Sequence, residues 1–356
     1  MPGAKNQKEI TMKYDSIAVL IPAYKPDRRL NKLVDELRDA GFGRIVVVDD
    51  GGGETYAQIF SDLAGLATVL THPVNRGKGA ALKTGLSEIM KTPDISVVTA
   101  DADGQHTPAD IARIADALLS NPDTLILGSR DKKSMPPRSK AGNTLTCGVF
   151  GLLTGLWLGD TQTGLRGLPA SVLGHFAALE GDRYEYEINM LICASERKIP
   201  VKEIEIETIY IDNNSSSHFN AMKDGLRIYR LMFRQAGKFV VSSLVSSLID
   251  ILLFALLHYA AAWSRIAAQI GARVVSAFVN YVLNSRMVFG KKMSGQSLLR
   301  YALLAVFILA CSCVGHYLLE KIHMPALLAK IIVDGILYFA SYRIQRSRVF
   351  GEDKPR

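Results

Sequence analysis

The stretch Ile95–Pro108, ISVVTADADGQHTP, compresses a strand, an acidic turn and a helix start into one short run. Its β-branched residues form a buried strand that ends in Asp101 and Asp103. Thr107, Pro108 and Asp110 then supply an N-cap, a proline at the first helical position and an acid three residues after the cap. A strand that gives way to a helix through a polar turn is the repeating unit of a parallel sheet with crossover helices. In an extended segment residues i and i+2 project to the same side, so both carboxylates can face one point. A divalent cation bound through oxygen would offset their repulsion and bridge them to a diphosphate. The alternative is an exposed acidic turn.

Working outward, the first 130 residues repeat this pattern. Apolar runs at Ile17–Ile21, Ile45–Val48, Ala67–Leu70, Ile95–Thr99 and Thr124–Leu127 alternate with amphipathic segments at Asp27–Ala40, Gly79–Met90 and Ala109–Leu119. The expected fold is α/β, Rossmann-like, with a mainly parallel sheet and helices on both faces. In such sheets ligands bind beyond the carboxyl ends of the strands. After the first strand comes IPAYKP (Ile21–Pro26), without the GxGxxG cradle of a dinucleotide dehydrogenase. After the second comes VVVDDGGG (Val46–Gly53), where Asp50 either accepts hydrogen bonds from a base or ribose or sits solvated in a Gly-rich turn. NRGKGAALKTG (Asn75–Gly85) sets Lys78 between two glycines at a helix start, where backbone N–H groups and one cation can face a phosphate; a surface lysine is the alternative.

In order, IPAYKP, VVVDDGGG, NRGKGAALKTG, DADGQHTP and GSR (Gly128–Arg130) resemble the family 2 glycosyltransferases of GT-A fold, and more narrowly the dolichyl-phosphate mannose synthase branch, the polyprenyl-phosphate glycosyltransferases. The resemblance covers about residues 15–235. It implies that Asp101, Asp103 and Gln105 serve the metal, Mg²⁺ or Mn²⁺, and the sugar-nucleotide diphosphate. Pro22, Ala23, Tyr24, Asp50 and Lys78 would line the nucleotide pocket. Arg130 and Arg138, the latter in PPRSKAGN, match positions that hold the lipid phosphate. DTQTGLRG (Asp160–Gly167) resembles the acceptor-side motif, bringing in Asp160 and Arg166, although the family often has Gly-Phe-Arg where this chain has Gly-Leu-Arg. YEYEINML (Tyr184–Leu191) matches an acidic helix beneath the site, and Glu207–Asn220 a closing loop that puts Asn214, Ser217 and His218 near phosphate. The family commonly has an arginine in that loop, where Asn213 or Asn214 stands here. Asp103, Gln105, Arg130 and Asp160 are the residues the resemblance makes catalytic; a helix-capping role is the alternative for Asp160.

The 356-residue chain carries a net charge of +8 and 48% hydrophobic residues, unevenly spread. Residues 239–342 contain long stretches almost free of charge, and the basic residues cluster beside them rather than in a run with interleaved aromatics, which points to a membrane surface and not to nucleic acid. The four cysteines form no CxxC pair, so neither a zinc site nor a disulfide framework is expected. The expected organisation is a disordered tail over 1–14, a catalytic domain over 15–220, an amphipathic interfacial helix over 221–238 and a membrane domain over 239–350. Within 221–238, Lys223, Arg227, Arg230 and Arg234 form one helical stripe and Met222, Leu226, Tyr229 and Phe233 an adjacent apolar one. Packing on the soluble domain with a solvated basic face is the alternative.

Four membrane spans are expected, at about 239–262, 266–283, 298–319 and 325–342, each near the ~20 residues needed to cross a bilayer. Lys238, Arg286, Lys291, Lys292, Arg300, Arg343, Arg346 and Arg348 gather on one side, which places both termini in the cytoplasm of a multi-pass inner-membrane protein. FVNYVLNSRMVF (Phe278–Phe289) and FASYRIQRSRVF (Phe339–Phe350) align at a fixed offset, and the region resembles the GtrA-like four-helix membrane domain. Asp250, Arg273, Lys330 and Asp334 are expected to face the bundle interior, since charge at membrane depth is costly unless paired.

The activity these resemblances imply is inverting transfer of a hexose, mannose or glucose, from a GDP- or UDP-sugar such as GDP-mannose or UDP-glucose to dolichyl or undecaprenyl phosphate, with a possible homo-oligomer through the membrane domain. A lipid-linked sugar transporter with a nucleotide-sugar sensing domain is the competing function. A processive polysaccharide synthase is disfavoured by the missing QxxRW-like segment after the acidic helix.

Overall fold

The computed structural model describes residues 13–131, 135, 137–207, 223–321, 324 and 326–350. The chain divides into two compact units, the first ending at Ile228 and the second beginning at Tyr229.

The first unit is built on a seven-stranded sheet of β1 (Ile17–Ala23), β2 (Arg44–Asp49), β3 (Thr68–Thr71), β4 (Ser96–Thr99), β5 (Leu125–Arg130), β6 (Arg166–Leu168) and β7 (Val201–Ile206), ordered β3-β2-β1-β4-β6-β5-β7. The helices of this unit are α1 (Arg29–Asp39), α2 (Ala57–Ser61), α3 (Lys78–Ile89), α4 (Pro108–Ser120), α5 (Pro137–Thr154), α6 (Leu173–Ala177) and α7 (Glu185–Arg197). The central strands are buried on both sides, which is why they read as continuous apolar runs. Ile17, Val19 and Ile21 of β1 pack with Leu30, Val34 and Leu37 of α1 and Ile111, Ile114 and Leu118 of α4. On the other face Leu20 presses so closely on Gly85 of α3 that a Cβ there would stand 2.1 Å from its Cδ1.

The sheet is mixed. β6 runs antiparallel to both β4 and β5, while the remaining strands share one direction. The sequence pattern did not reveal β6 or β7. The first is only three residues long and opens on an arginine, and the second is an edge strand, VKEIEI, that alternates apolar and charged. β1 pairs with β2 on one side and β4 on the other, so strand order reverses between β1 and β4, and the crevice at their carboxyl ends is where this topology places a ligand. Thr107 caps α4 as expected: its Oγ1 accepts from the Asp110 backbone N–H, and Pro108 occupies the first turn.

The second unit holds the rest of α8 (Lys223–Ala255) with α9 (Arg265–Leu283), α10 (Gly295–Lys321) and α11 (Ala326–Ile344). The segment expected to be a separate interfacial helix is the first part of α8, which continues through the first apolar span without a break. Leu226 and Phe233 are exposed on it, whereas Ile228 and Met232 are buried. Two segments, Gly237–Ala260 and Gly295–Leu319, are long and apolar enough to cross a membrane among the described residues.

The internal repeat has a structural counterpart. α9 and α11 each end in a π-helical turn, Asn284–Val288 and Gln345–Val349, at the same offset as the two sequence segments. The turns meet: Asn284 Nδ2 donates to Gln345 Oε1 (3.0 Å), Phe289 stacks on Phe350, and Tyr281 against Phe350 mirrors Phe289 against Tyr342.

Candidate active site

At the β1/β4 switch point lies an open cavity of about 620 Å³, and Pro22, Ala23, Tyr24, Asp50, Lys78, Asp101 and Asp103 all line it. The carboxyl ends of β1, β2 and β4 and the start of α3 bring these residues together from segments up to 81 positions apart.

Asp50 follows β2 and is almost fully buried. Its Oδ1 accepts from His72 Nδ1 (2.7 Å) and from the Arg76 backbone N–H (2.9 Å), and its Oδ2 from Asn75 Nδ2 (3.0 Å) and the Gly77 N–H (2.7 Å). A carboxylate with two donors on each oxygen is an anchor for the 75–77 turn, so the hydrogen bond that Asp50 was expected to accept from a base or ribose has no lone pair favourably left for it. His72 is braced in turn by Thr84 Oγ1 at 2.9 Å from its Nε2. No motif pointed to His72, since a histidine at the end of an edge strand carries no signal of its own. The turn needs glycine at 77, where φ is +104° and a Cβ would lie 2.4 Å from the Asp182 carbonyl oxygen.

This turn delivers Lys78 to the first position of α3. Its Nζ is 2.7 Å from Asp101 Oδ1 and 3.0 Å from Glu187 Oε1 of α7, so it is an enclosed cation and not a surface lysine. Burial works against its charge, but Asp101 and Glu187 outweigh burial and hold its pKa above the ordinary lysine value. Burial likewise opposes ionisation of Asp101, yet Lys78, with His106 and Arg130, pulls its pKa down to about 2. Asp103 behaves oppositely: burial, then the charge of Asp101, raises its pKa. The turn is held by the Asp101 N–H donating to His106 Nδ1 (3.1 Å), the Gln105 N–H donating to Asp103 Oδ1 (3.0 Å), and Thr99 Oγ1 donating to the Gly164 carbonyl (2.7 Å). Gly164 lies against the Asp101 carboxylate, where a Cβ would come within 2.4 Å of Oδ2. Gln105 is buried.

Among the described residues no three His, Cys, Asp or Glu side chains form a metal cage. The protein therefore offers two hard carboxylate donors whose mutual repulsion a divalent cation would relieve. This donor set suits Mg²⁺ or Mn²⁺ completed by phosphate oxygens.

The acceptor-side residues separate into two groups. At the end of β5, Arg130 donates through Nε (2.6 Å) and Nη2 (3.1 Å) to the fully buried Asp160. Asp160 caps no helix; its Oδ1 also accepts from the Gln162 N–H, and Glu203 of β7 accepts from the N–H groups of Gly159 (2.8 Å) and Asp160 (3.2 Å). Asp160 thus holds Arg130 and is itself sealed from solvent. Arg166, expected at the lipid phosphate, is sealed in the core: its guanidinium donates to the carbonyls of Thr163 (3.0 Å), Glu187 (2.6 Å) and Thr161 (3.4 Å). It ties the 160–166 turn to α7, and burial lowers its pKa. The Arg138 side chain and Asn214, Ser217 and His218 lie outside the described residues.

A family model described as Glycosyl transferase family 2 matches residues 18–175, and one described as GtrA/DPMS, transmembrane domain matches residues 238–350. The chain is 30% identical over 243 residues to the UDP-N-acetylglucosamine–dolichyl-phosphate N-acetylglucosaminyltransferase of Methanococcus voltae, covering 62% of this chain and 97% of that protein. It is 28% identical over 246 residues to the dolichyl-phosphate beta-glucosyltransferase of Homo sapiens, covering 60% and 74%. A solved structure of glucosyl-3-phosphoglycerate synthase from Mycobacterium tuberculosis with uridine diphosphate matches 67% of this chain and 86% of its own at a TM-score of 0.46 and 19% identity.

Proposed function

Because the chain belongs to the family 2 glycosyltransferases, in the polyprenyl-phosphate branch with a GtrA/DPMS transmembrane domain, we propose that it transfers a gluco-configured hexose or its N-acetylamino form from a UDP-sugar to polyprenyl phosphate, with inversion and with Mg²⁺ or Mn²⁺. The choice of UDP over GDP rests on the Methanococcus voltae relative, whose name specifies UDP-N-acetylglucosamine, and the gluco configuration on both relatives, named for an N-acetylglucosaminyl and a glucosyl transfer to dolichyl phosphate. Four spans with both termini on the cytoplasmic side, where the basic residues cluster, complete the reading.

The observation that carries it is the Lys78–Asp101 pair beside Asp103 at the switch point, with Arg130 held by Asp160 nearby in the fold. The acceptor phosphate is anionic at neutral pH, so the reaction needs no strong base; it needs two anions brought together. Lys78 and the backbone N–H groups at the start of α3 would meet the donor diphosphate, and Arg130, oriented by Asp160, the acceptor phosphate. Asp101 and Asp103 would hold the divalent ion, which when bound stabilises charge on the departing nucleoside diphosphate. Gly51–Gly53 and the IPAYKP turn would close around the nucleoside.

The test is incubation of the full-length chain with UDP-glucose, UDP-N-acetylglucosamine, GDP-mannose, dolichyl or undecaprenyl phosphate and metal, followed by extraction of lipid product. A glycolipid from a UDP-sugar that vanishes with chelator is expected. No product from any pair would end the reading, and product from GDP-mannose alone would overturn its donor choice.

A further inference from the structure

Asp250 of α8 and Arg273 of α9 form an ion pair at an unusual depth. At ~1.5 Å rise per residue, Arg273 lies about 12 Å from Arg265 and about 15 Å from Leu283, the two ends of α9. By the same rise, Asp250 lies about 20 Å from Gly237 and about 15 Å from Ala260, the ends of its apolar span. With α9 crossing the bilayer as proposed above, both charges stand near the middle of its ~30 Å hydrocarbon layer.

Only one of the two charges is enclosed. The Asp250 side chain is 15% exposed, with Ser276 Oγ donating to Oδ1 at 2.8 Å and Arg273 Nη2 at 3.5 Å from Oδ2. The Arg273 side chain is 70% exposed, so the expectation that it faces the bundle interior does not hold. It shares an outward face of α9 with Ile270, Val274 and Phe278, all exposed and apolar. A guanidinium directed at lipid tails at this depth is costly, and its remaining donors require oxygen acceptors at the same level.

We infer that this face is an interface between two copies of the chain, in which Arg273 of each copy pairs with Asp250 of the other. Two considerations select a second copy over a lipid phosphate. A two-fold axis along the membrane normal preserves depth, so each Arg273 meets a carboxylate at its own level, and residue i meets j as j meets i. Four alternating charges are also neutral as a set, whereas a lipid phosphate would bring a second anion beside Asp250 onto one cation. Ile270, Val274 and Phe278 would pack around the four charges and exclude lipid.

The experiment uses full-length chains carrying two different tags, coexpressed, extracted into nanodiscs and captured through one tag. Arg273→Asp paired with itself, and Asp250→Arg paired with itself, place like charges together and are expected to lower capture of the second tag at least tenfold. Coexpressing Arg273→Asp with Asp250→Arg restores opposite charges only between copies, and wild-type capture is expected to return. Capture of wild type no greater than that of the single variants, or no recovery in the mixed pair, overturns the interface. Because charge variants can misfold, Val274→Cys in a chain with its four native cysteines changed to serine gives a second reading. Oxidation is expected to give a covalent dimer there and not at Leu303→Cys, an equally exposed position on α10; equal yields overturn the interface. None of these readouts depends on glycosyl transfer, so a failed interface leaves the proposed reaction standing, and the reverse.

Discussion

Two ion pairs define the two units, and they are built for different ends. In the catalytic unit Lys78 is enclosed by Asp101 and Glu187, on elements anchored by backbone hydrogen bonds, and a further carboxylate, Asp103, stands beside it with its pKa raised. In the membrane unit Arg273 meets the Asp250 carboxylate at 3.5 Å and is 70% exposed. The first cluster gathers Asp101, Glu187 and Asp103 around Lys78, so it holds more carboxylates than cations. The second pairs one carboxylate with one guanidinium that is 70% exposed. Burial alone does not separate function from structure here, since Arg166 is more buried than either cation and donates to three carbonyls and the Met190 sulfur. What matters is which groups surround each charge.

Substitutions can break that contrast in graded fashion. Asp103→Asn removes a donor for the cation with little change of shape, and turnover should fall by about a thousandfold, on the scale of losing one preorganised charge-stabilising group; steady-state assays at saturating metal check it. Lys78→Met leaves Asp101 and Glu187 facing each other unpaired. It should cost about 3 kcal/mol of stability, as breaking a buried pair does, and about a hundredfold in kcat/KM, read by thermal melts beside kinetics. Arg166→Met orphans buried carbonyls and should cost about as much stability, roughly 3 kcal/mol, while leaving the donor KM of the folded fraction unchanged, which separates a core cation from a site cation. His72→Ala removes one of four donors to Asp50 and loosens the turn that carries Lys78. A rise of about tenfold in donor KM, equivalent to ~1.4 kcal/mol, is expected with little change in kcat. Smallest is Arg273→Gln, which should leave transfer in detergent within about twofold of wild type.

Much of the catalytic unit was legible because its signals are local. A strand, an acid pair and a capped helix lie consecutively in Ile95–Pro108, and the glycine turns of 51–53 and 77–79 mark the end of β2 and the start of α3 directly. The side chains whose expected roles changed are those whose partners are distant in sequence. Asp50 is saturated by groups 22 to 27 residues later, and Asp160 is claimed by Arg130, 30 residues earlier. Arg166 sits on β6, where the alternation of a short strand points it into the core, and a motif that names the residue type does not say which side of the strand it takes. The membrane repeat was legible as an offset between two segments, but not that both copies would end in π-turns meeting through Asn284 and Gln345. Those contacts depend on how the two hairpins pack. The exposure of Arg273 was hidden for the same reason: helical periodicity places it beside Ile270 and Val274 without saying which face the neighbouring helices cover.

The claim at the centre of this account is that Asp101 and Asp103 form one half of a metal site that a nucleoside diphosphate completes. Electron paramagnetic resonance of Mn²⁺ titrated into the full-length protein, with and without UDP, measures this without requiring the right sugar or lipid. One bound Mn²⁺ per chain is expected that tightens strongly with UDP, is lost in Asp103→Asn and persists in Asp160→Asn. Mn²⁺ binding that is indifferent to UDP, or unchanged in Asp103→Asn, would contradict it.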